Sequence, residues 1–443
     1  MLFRSHVSES ARQPRPNRAE FDAAVAIAAR DPALGPAIRD TRLRPYRPMP
    51  PLVRVDLSDG RTDRVVAVGL LPTAEGLQHE IVGVSMRRRA VIRFDEMAPA
   101  GAVAIASTCG LPNANQPTDS SSPGQAWVTV SQGGTVLWRF LVVRPAASSG
   151  AFGSGVELRF VDYRGKRVLY RAHVPILNVK YDDDACGPYR DWQNEEGMFQ
   201  ATGADVGSGF RLCGTPAQTI LASGSDTGNF NGVAVYLQGQ EVVLVSEMEA
   251  GWYRYVSEWR LHVNGSIRPR FGFSAVEDSC VCTIHHHHVY WRLDFDIRTA
   301  SRNVVLEHNV PRIFGRSAWH TLNFETQRFR DPARHRTWRV KNSVSGEAYD
   351  IIPGPDDGAA TASPDWPFPR GDVWILKYRA SEIDDGAVLT SDEAALDAFA
   401  DGEPINNQDV VIWYAAHVTH EVGAEPPGTF GHIAGPTLKP VNW

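Results

Sequence analysis

The chain has 443 residues, 43% of them hydrophobic, so it can bury the core of two or three domains, or of one large β domain with a smaller companion. Its 45 basic and 51 acidic side chains give a net charge of −6. They form no basic block, which argues against a nucleic-acid partner. We find no signal-peptide pattern and no apolar run near the ~20 residues that span a bilayer. We therefore expect a soluble, cytoplasmic protein with no membrane partner.

The predicted elements begin after a polar N-terminal segment, residues 1–18, which we expect to be flexible. Residues 18–40 carry apolar side chains at helical spacing and predict one or two short helices. From 53 to about 144, β-branched runs between Gly, Pro and Asp turns predict strands. We interpret 19–145 as a small α+β domain that ends at the small-residue linker RPAASSGAFGSG, 144–155.

Residues 146–443 have an almost unbroken β pattern. The exception is TSDEAALDAFADG, 390–402, where Ser391 is placed to cap a helix and Glu393 falls in its first turn. The predicted fold class is therefore mainly β, with a large antiparallel β-sandwich preceded by the small α+β domain.

The five cysteines are few, odd in number and irregularly spaced, which argues against a disulfide framework but leaves room for one bridge. Cys280 and Cys282 stand just before four consecutive histidines, so a Cys/His zinc site is one hypothesis for them. The alternative is that they are two small apolar residues on one strand face.

The four histidines, 285–288, lie in the middle of the chain and are followed by a β-rich run, 289–297. Successive side chains of a strand point to opposite faces, so His285 and His287 share one face while His286 and His288 share the other. Either pair can supply two imidazoles to a metal ion.

Several separate stretches resemble the catalytic domain of the copper amine oxidases, whose topaquinone cofactor is made from one of their own tyrosines. AGWYRYVSEW, 250–259, resembles the cofactor segment and implies that Tyr253 is the cofactor tyrosine; HVNGSI, 262–267, resembles the hairpin after it. HHHHVYWRLDFDI resembles the His-x-His strand of the family, and its spacing implies that His285 and His287 are the copper ligands.

The resemblance continues near the C-terminus, where DVVIWYAAHVTH followed by LKPVNW implies that His420 is the third ligand, with His417 as a neighbour on the other face. Three imidazoles with open positions suit copper(II), although zinc(II) would accept the same ligands. The resemblance also implies a peripheral calcium or manganese site, since carboxylates suit hard cations; its residues are Asp294, Asp296 and Asp409. An exposed acidic strand end is the alternative.

Upstream, ILNVKYDDDACGPYRDWQNEEGMF, 176–199, resembles the stretch that carries the family's catalytic base. It implies that Tyr181 hydrogen-bonds the quinone and that Glu195 is the base, where the family has aspartate. Beside the cofactor tyrosine, Trp252 replaces an asparagine and Arg254 replaces an acidic residue. Met198 and Phe199 also depart from the family pattern.

The resemblance implies oxidative deamination of a primary amine to an aldehyde, with release of ammonia and hydrogen peroxide. The cofactors it implies are copper(II) and topaquinone from Tyr253. The implied co-substrate is O₂, and the implied assembly is a homodimer. Two alternatives remain at this stage. Copper could serve another oxidation with Tyr253 unmodified, or the chain could be a non-catalytic metal-binding scaffold.

Overall fold

The fold consists of two compact units, Met1–Ala106 and Ser107–Trp443. The computed structural model describes residues 16–46, 52–56, 62–72, 77, 80–92, 109–114, 119–120, 124–150, 153–182, 186, 189–191, 197–198, 204–205, 209–226, 232–278, 280–313, 315, 317–383, 394–421, 429 and 431–443. Among these residues, none of the helices combines the length and the apolar character that crossing a membrane requires.

The first unit is a small α+β structure. Its helices are Arg18–Ala28, capped by the Asn17 side chain accepting from the Glu20 amide, and Gly35–Arg39, so the helices predicted within 18–40 are confirmed. They pack on an antiparallel sheet through a core that includes Ile27, Leu34 and Val68. The strands of this sheet are Leu43–Tyr46, Leu52–Asp56, Thr62–Pro72, Glu80–Ser85 and Ala90–Ile92.

The second unit contains two large sheets, as the predicted β-sandwich requires. The first sheet is antiparallel, and its described strands, in spatial order, are Thr326–Arg328, Val373–Lys377, Val410–His420, His285–Phe295, Lys166–Tyr181, Ser154–Tyr163, Thr135–Val143 and Gln125–Gln132, with Tyr189–Asp191 paired beside Lys166–Tyr181. Two of these strands lie before residue 144, in the stretch that the sequence assigned to the small domain. The 144–155 stretch forms a 3₁₀ turn, Pro145–Ala147, and the start of the next strand, so the small residues make a connection inside one sheet.

The second sheet is antiparallel apart from one parallel pair. Its described strands, in spatial order, are Ala204–Asp205, Phe210–Leu212, Val233–Gln238, Glu241–Ala250, Tyr253–His262, Ile267–Ala275, Thr437–Val441, Ala348–Ile352, Thr337–Asn342, Asn303–His308 and Trp319–Leu322, with Asp119–Ser120, Gly197–Met198 and His432–Ala434 paired at the side. The two sheets meet across a buried interface, where the Trp259 indole donates to the Val156 carbonyl at 2.9 Å.

Helices are short in the described part of this unit. They are Ile220–Ser223 and Ala394–Ala398, with 3₁₀ turns at Pro145–Ala147, Cys280–Cys282, Pro332–Arg334 and Ala360–Ala362. The helix predicted over 390–402 is present as Ala394–Ala398, where Leu396 is buried against Trp374 and Trp413. The proposed cap and first turn, Ser391 and Glu393, lie outside the described residues.

Three strand ends meet where the functional residues were predicted. In the first sheet, the His strand, His285–Phe295, pairs antiparallel with the C-terminal strand, Val410–His420, so that His285 lies opposite His420. On its other side the His strand pairs with Lys166–Tyr181, which sets Tyr181 opposite His285. The tyrosine strand, Tyr253–His262, belongs to the facing sheet and begins at the same end.

Two disulfides correct the cysteine prediction. Cys109 is bonded to Cys282 and Cys186 to Cys280, whereas Cys213 is free and buried. Both bridges end in the 3₁₀ turn Cys280–Cys282, just before the His strand. The hypothesis of a Cys/His zinc site is therefore wrong, since both sulfurs are used, and so is the placement of these cysteines on a strand.

Candidate metal centre

Three buried imidazoles meet at the junction of the His strand and the C-terminal strand. His285, His287 and His420 each present a ring nitrogen, and these nitrogens lie within 4.8 Å of one another. His285 and His287 reach the same point because they are two residues apart on one strand. His420 joins them because antiparallel pairing sets it opposite His285. The structure thus brings together the three residues predicted to bind copper.

The ring orientation of His285 is determined by a backbone carbonyl. Its Nδ1 lies 2.6 Å from the Thr283 oxygen, which can only accept, so Nδ1 carries the hydrogen. The neutral ring then directs its Nε2 lone pair toward Nδ1 of His420, 3.0 Å away. A hydrogen bond from the far ring nitrogen to a carbonyl is the usual support for a metal-binding histidine.

His287 is fully buried, and its Nε2 has no hydrogen-bond partner within the described residues. An unsatisfied buried polar atom costs about 1–3 kcal/mol, so this nitrogen fits a ligand position better than a purely structural one. Its ring is held by stacking on Phe273, with 3.7 Å between the ring centroids.

Burial keeps all three imidazoles neutral. It lowers the pKa of His285 to about 4 and, together with the neighbouring His285 and His432, that of His420 to about 2. Burial and the adjacent imidazoles hold the pKa of His287 well below its usual value. Neutral imidazole is the form that binds metals, so the donor set fits copper(II), and it would fit zinc(II) as well.

Tyr253 places its hydroxyl group at the same point. The hydroxyl donates to Nε2 of His285 and lies 2.9 Å from Nδ1 of His420. The tyrosine ring meets the His287 ring edge-on, with centroids 4.6 Å apart. The predicted cofactor tyrosine is therefore directly beside the predicted metal ligands.

Tyr181 and Trp252 form a hydrogen-bonded pair next to this tyrosine. The Tyr181 ring stacks on His285 at a centroid distance of 4.6 Å, and its hydroxyl accepts from the Trp252 indole N–H at 2.9 Å. The replacement of the family's asparagine by Trp252 thus supplies a donor to Tyr181. The predicted bond from Tyr181 to a quinone stays a prediction.

Arg254 does not direct its charge at Tyr253. Alternation along the tyrosine strand turns its side chain to the other face, where the guanidinium forms a buried ion pair with Asp226 at 2.7 and 3.2 Å. It also donates to the carbonyl oxygens of Gly251 and Tyr253. The neighbouring carboxylate therefore compensates the charge that the sequence placed beside the cofactor tyrosine.

Asp191 is a buried acid near the centre that the sequence analysis missed. Its Oδ2 accepts from the Tyr255 hydroxyl at 2.5 Å, and that hydroxyl lies 3.4 Å from Nδ1 of His287. Burial raises the pKa of Asp191 to about 7, although the bond from Tyr255 favours the ionised form. Asp191 could have been considered from the sequence, because it lies in the 176–199 stretch that resembles the base-carrying segment. The resemblance implied Glu195 as the base instead. Glu195 lies outside the described residues.

The acidic residues predicted as a second metal site also come together. Asp294, Asp296 and Asp409 have carboxylate oxygens within 4.8 Å of one another. Asp294 and Asp296 are buried, which rules out the alternative of an exposed acidic strand end. Burial raises the pKa of Asp294 to about 7; burial and the two neighbouring aspartates raise that of Asp409 to about 7. Clustered carboxylates of this kind suit a hard divalent cation.

Comparisons with known proteins agree with this geometry. Residues 269–443 match the family model of the copper amine oxidase enzyme domain. A copper-containing benzylamine oxidase from Hansenula polymorpha shares the fold with a TM-score of 0.60 and 13% identity, over 97% of this chain and 83% of that one. The Pichia pastoris lysyl oxidase PPLO shares the fold with a TM-score of 0.56 and 12% identity, over 96% of this chain and 74% of that one. No match was found among curated proteins. The matched stretch contains all three histidines of the centre, so this part of the chain is similar to the copper amine oxidase enzyme domain, and the chain shares the fold of the two oxidases.

Proposed function

We propose that the chain is a copper-dependent amine oxidase, which converts a primary amine, O₂ and water into an aldehyde, ammonia and hydrogen peroxide. The observation that carries the proposal is the contact of the Tyr253 hydroxyl with His285 and His420 at a point where three buried imidazoles converge. A phenol held at a three-imidazole site is positioned for oxidation by a bound metal ion.

His285, His287 and His420 would hold the copper ion in this proposal. Copper(II), together with a topaquinone formed from Tyr253, would supply the redox chemistry that amino-acid side chains lack. The protein contributes three neutral imidazoles. Near neutral pH, each can bind the metal ion without first releasing a proton. The Thr283 carbonyl holds His285 in the required tautomer.

Tyr181 and Trp252 would orient the group formed at position 253. The Tyr181 ring is stacked on His285, and the Trp252 indole holds its hydroxyl. His285, on which Tyr181 stacks, also contacts the Tyr253 hydroxyl. We therefore assign Tyr181 a positioning role rather than a direct part in proton transfer.

Amine oxidation needs a base that removes a proton from the substrate carbon, and two carboxylates are candidates. A general base works best when its pKa is near the working pH. Asp191 meets this condition because burial raises its pKa to about 7. Glu195 is the base that the resemblance implies. Single variants at the two positions distinguish them.

The carboxylate cluster of Asp294, Asp296 and Asp409 would bind calcium or manganese. The active form would be a homodimer. The cluster is supported by the close approach of three carboxylates. The dimer rests on the resemblance to the copper amine oxidases alone, and sedimentation of the copper-loaded protein tests it.

The proposal is tested by the chemical state of residue 253. Metal-free protein is loaded with copper(II) in air, digested and examined by mass spectrometry, with a redox-cycling stain for quinones. We expect a mass increase on the peptide that contains Tyr253 and a positive stain. Tyr253→Phe, which keeps the ring but removes the hydroxyl, is the matched control and should show neither.

An unmodified Tyr253 in fully copper-loaded protein would overturn the topaquinone assignment. Amine-dependent or other O₂ consumption by such protein would favour the alternative of a different copper oxidation. Absence of any turnover would favour a metal-binding scaffold.

A further inference from the structure

The second face of the His strand carries two histidines that the proposed copper centre does not use. Nε2 of His286 lies 3.0 Å from Oδ1 of Asp182 and 3.7 Å from Oδ1 of Asp365. Nε2 of His288 lies 3.0 Å from the other oxygen of Asp365. One buried carboxylate is thus placed between two buried imidazoles. We call the cluster of Asp182, His286 and Asp365 the even-numbered site.

The hydrogen bonds behind His288 determine which of its nitrogens carries a hydrogen. Nε2 of His417 faces the Gly371 carbonyl and Asp372, both at 3.1 Å, and Asp372 is ionised because it pairs with Arg330. Both neighbours accept, so the hydrogen of His417 is on Nε2. Its Nδ1 must then accept from Nδ1 of His288, 2.9 Å away.

Asp365 lies 3.0 Å from Nε2 of His288, so His288 and the histidine behind it hold this carboxylate in place. His286 is held in turn by the Thr419 hydroxyl, which lies 3.1 Å from its Nδ1. The ligand atoms of Asp182, His286 and Asp365 lie within 4.8 Å of one another. Outer-shell hydrogen bonds of this kind usually support metal ligands.

We propose that the even-numbered site binds a zinc(II) ion through Asp182, His286 and Asp365, with water in the fourth position. Zinc prefers four ligands in a tetrahedron, with bonds of about 2.0–2.2 Å to nitrogen and oxygen, which sets adjacent ligand atoms about 3.3 Å apart. Nε2 of His286 lies 3.0 Å from the Asp182 oxygen and 3.7 Å from the Asp365 oxygen, on both sides of that value. The exposed Asp182 side chain gives the ion a route from solvent.

The zinc site and the copper centre would lie on opposite faces of one strand. His285 and His287 serve the copper centre, whereas His286 would bind zinc and His288 would hold the zinc ligand Asp365. Asp365 lies in the loop between the strands Ala348–Ile352 and Val373–Lys377, so zinc would attach this loop to the His strand. The zinc proposal uses no residue of the copper centre and does not depend on amine oxidation.

The test uses the full chain, first stripped of metal and then loaded with one equivalent of copper. Zinc is titrated calorimetrically, and bound zinc is counted after gel filtration by elemental analysis. We expect one further zinc ion per chain. X-ray absorption at the zinc edge should show nitrogen and oxygen ligands only, without sulfur.

Asp365→Asn keeps the shape of the side chain but removes its charge. Loss of an outer-shell partner alone lowers metal affinity about 10–100-fold, so loss of this ligand should lower zinc affinity by more than about 100-fold. Asp182→Asn, at an exposed position with little risk to folding, should also weaken zinc binding. Asp356→Asn, an exposed aspartate of the same loop, is the matched control and should bind zinc as the wild type does.

Copper content and circular dichroism should be unchanged in all three variants. The proposal is overturned if copper-loaded wild type takes up no zinc, or if Asp365→Asn and Asp182→Asn bind it as tightly as Asp356→Asn. It is also overturned if the zinc disappears in His420→Ala but persists in Asp365→Asn. A negative quinone stain would reject the topaquinone assignment and leave the zinc result unaffected.

Discussion

The hydroxyl of Tyr253 and Nδ1 of His420 lie 2.9 Å apart, although 167 residues separate them in the sequence. The two side chains come from facing sheets, so their contact depends on the packing of the whole sandwich. His420 is therefore the ligand whose removal tests the site without altering the His strand.

We expect His420→Ala to lose most of its bound copper, because it removes one of three imidazoles. His286→Ala, a substitution on the opposite face of the His strand, should keep its copper. Copper per chain, measured by elemental analysis after equilibrium dialysis, distinguishes the two variants. Copper loss in His286→Ala with retention in His420→Ala would show that the assignment of strand faces is wrong.

Asp191→Asn should lower kcat for amine oxidation by about 10²–10⁴-fold if Asp191 is the base, with less effect on KM. A base acts in its ionised form, and the pKa of Asp191 is about 7, so the wild-type rate should fall as the pH decreases through 7. Glu195→Gln is the matched variant. If it loses the activity and the pH dependence while Asp191→Asn keeps both, then Glu195 is the base.

Glu247→Gln should make stability less dependent on pH. Glu247 is buried, and burial raises its pKa to about 8 in the folded chain, against about 4.3 for a glutamate in an unfolded chain. The folded state thus binds the proton more tightly, and stability should fall as the pH rises from about 4.3 through 8. One pKa unit corresponds to about 1.4 kcal/mol, so the difference amounts to a few kcal/mol.

Urea denaturation of wild type and Glu247→Gln at pH 6 and pH 9 measures this difference. The glutamine keeps an oxygen that can accept from the Ile220 amide, as Glu247 does. Equal losses of unfolding free energy in the two proteins between these pH values would contradict the assignment of the shift to Glu247.

Replacing Cys186 and Cys280 together by alanine should lower the free energy of unfolding by about 2–5 kcal/mol, as for other native disulfides. Thermal unfolding under oxidising conditions measures the loss. Cys213→Ala, which removes a buried but unbonded thiol, is the control for the loss of side-chain volume. A double variant no less stable than Cys213→Ala would mean that this bridge contributes nothing.

The sequence was sufficient for the fold class and for the resemblance to the copper amine oxidases because both depend on local patterns. Alternation along a strand placed His285 and His287 on one face, and the structure has them there. The disulfides could not be predicted in this way: Cys109 and Cys282 are 173 residues apart and meet only through tertiary structure. Asp191 was missed because its proximity to Tyr255 and His287 arises from the packing of separate strands.

The run of four histidines makes the pairing of its strand ambiguous during folding. A slip of one residue that moved His286 and His288 into the places of His285 and His287 would still present two imidazoles to His420, so the metal ligands themselves do not select the correct pairing. The two disulfides at Cys280 and Cys282 fix the start of the strand. Oxidation of these cysteines before the metal enters would therefore prevent a copper-loaded but misregistered product, and recombinant protein should be produced under conditions that allow the bridges to form first.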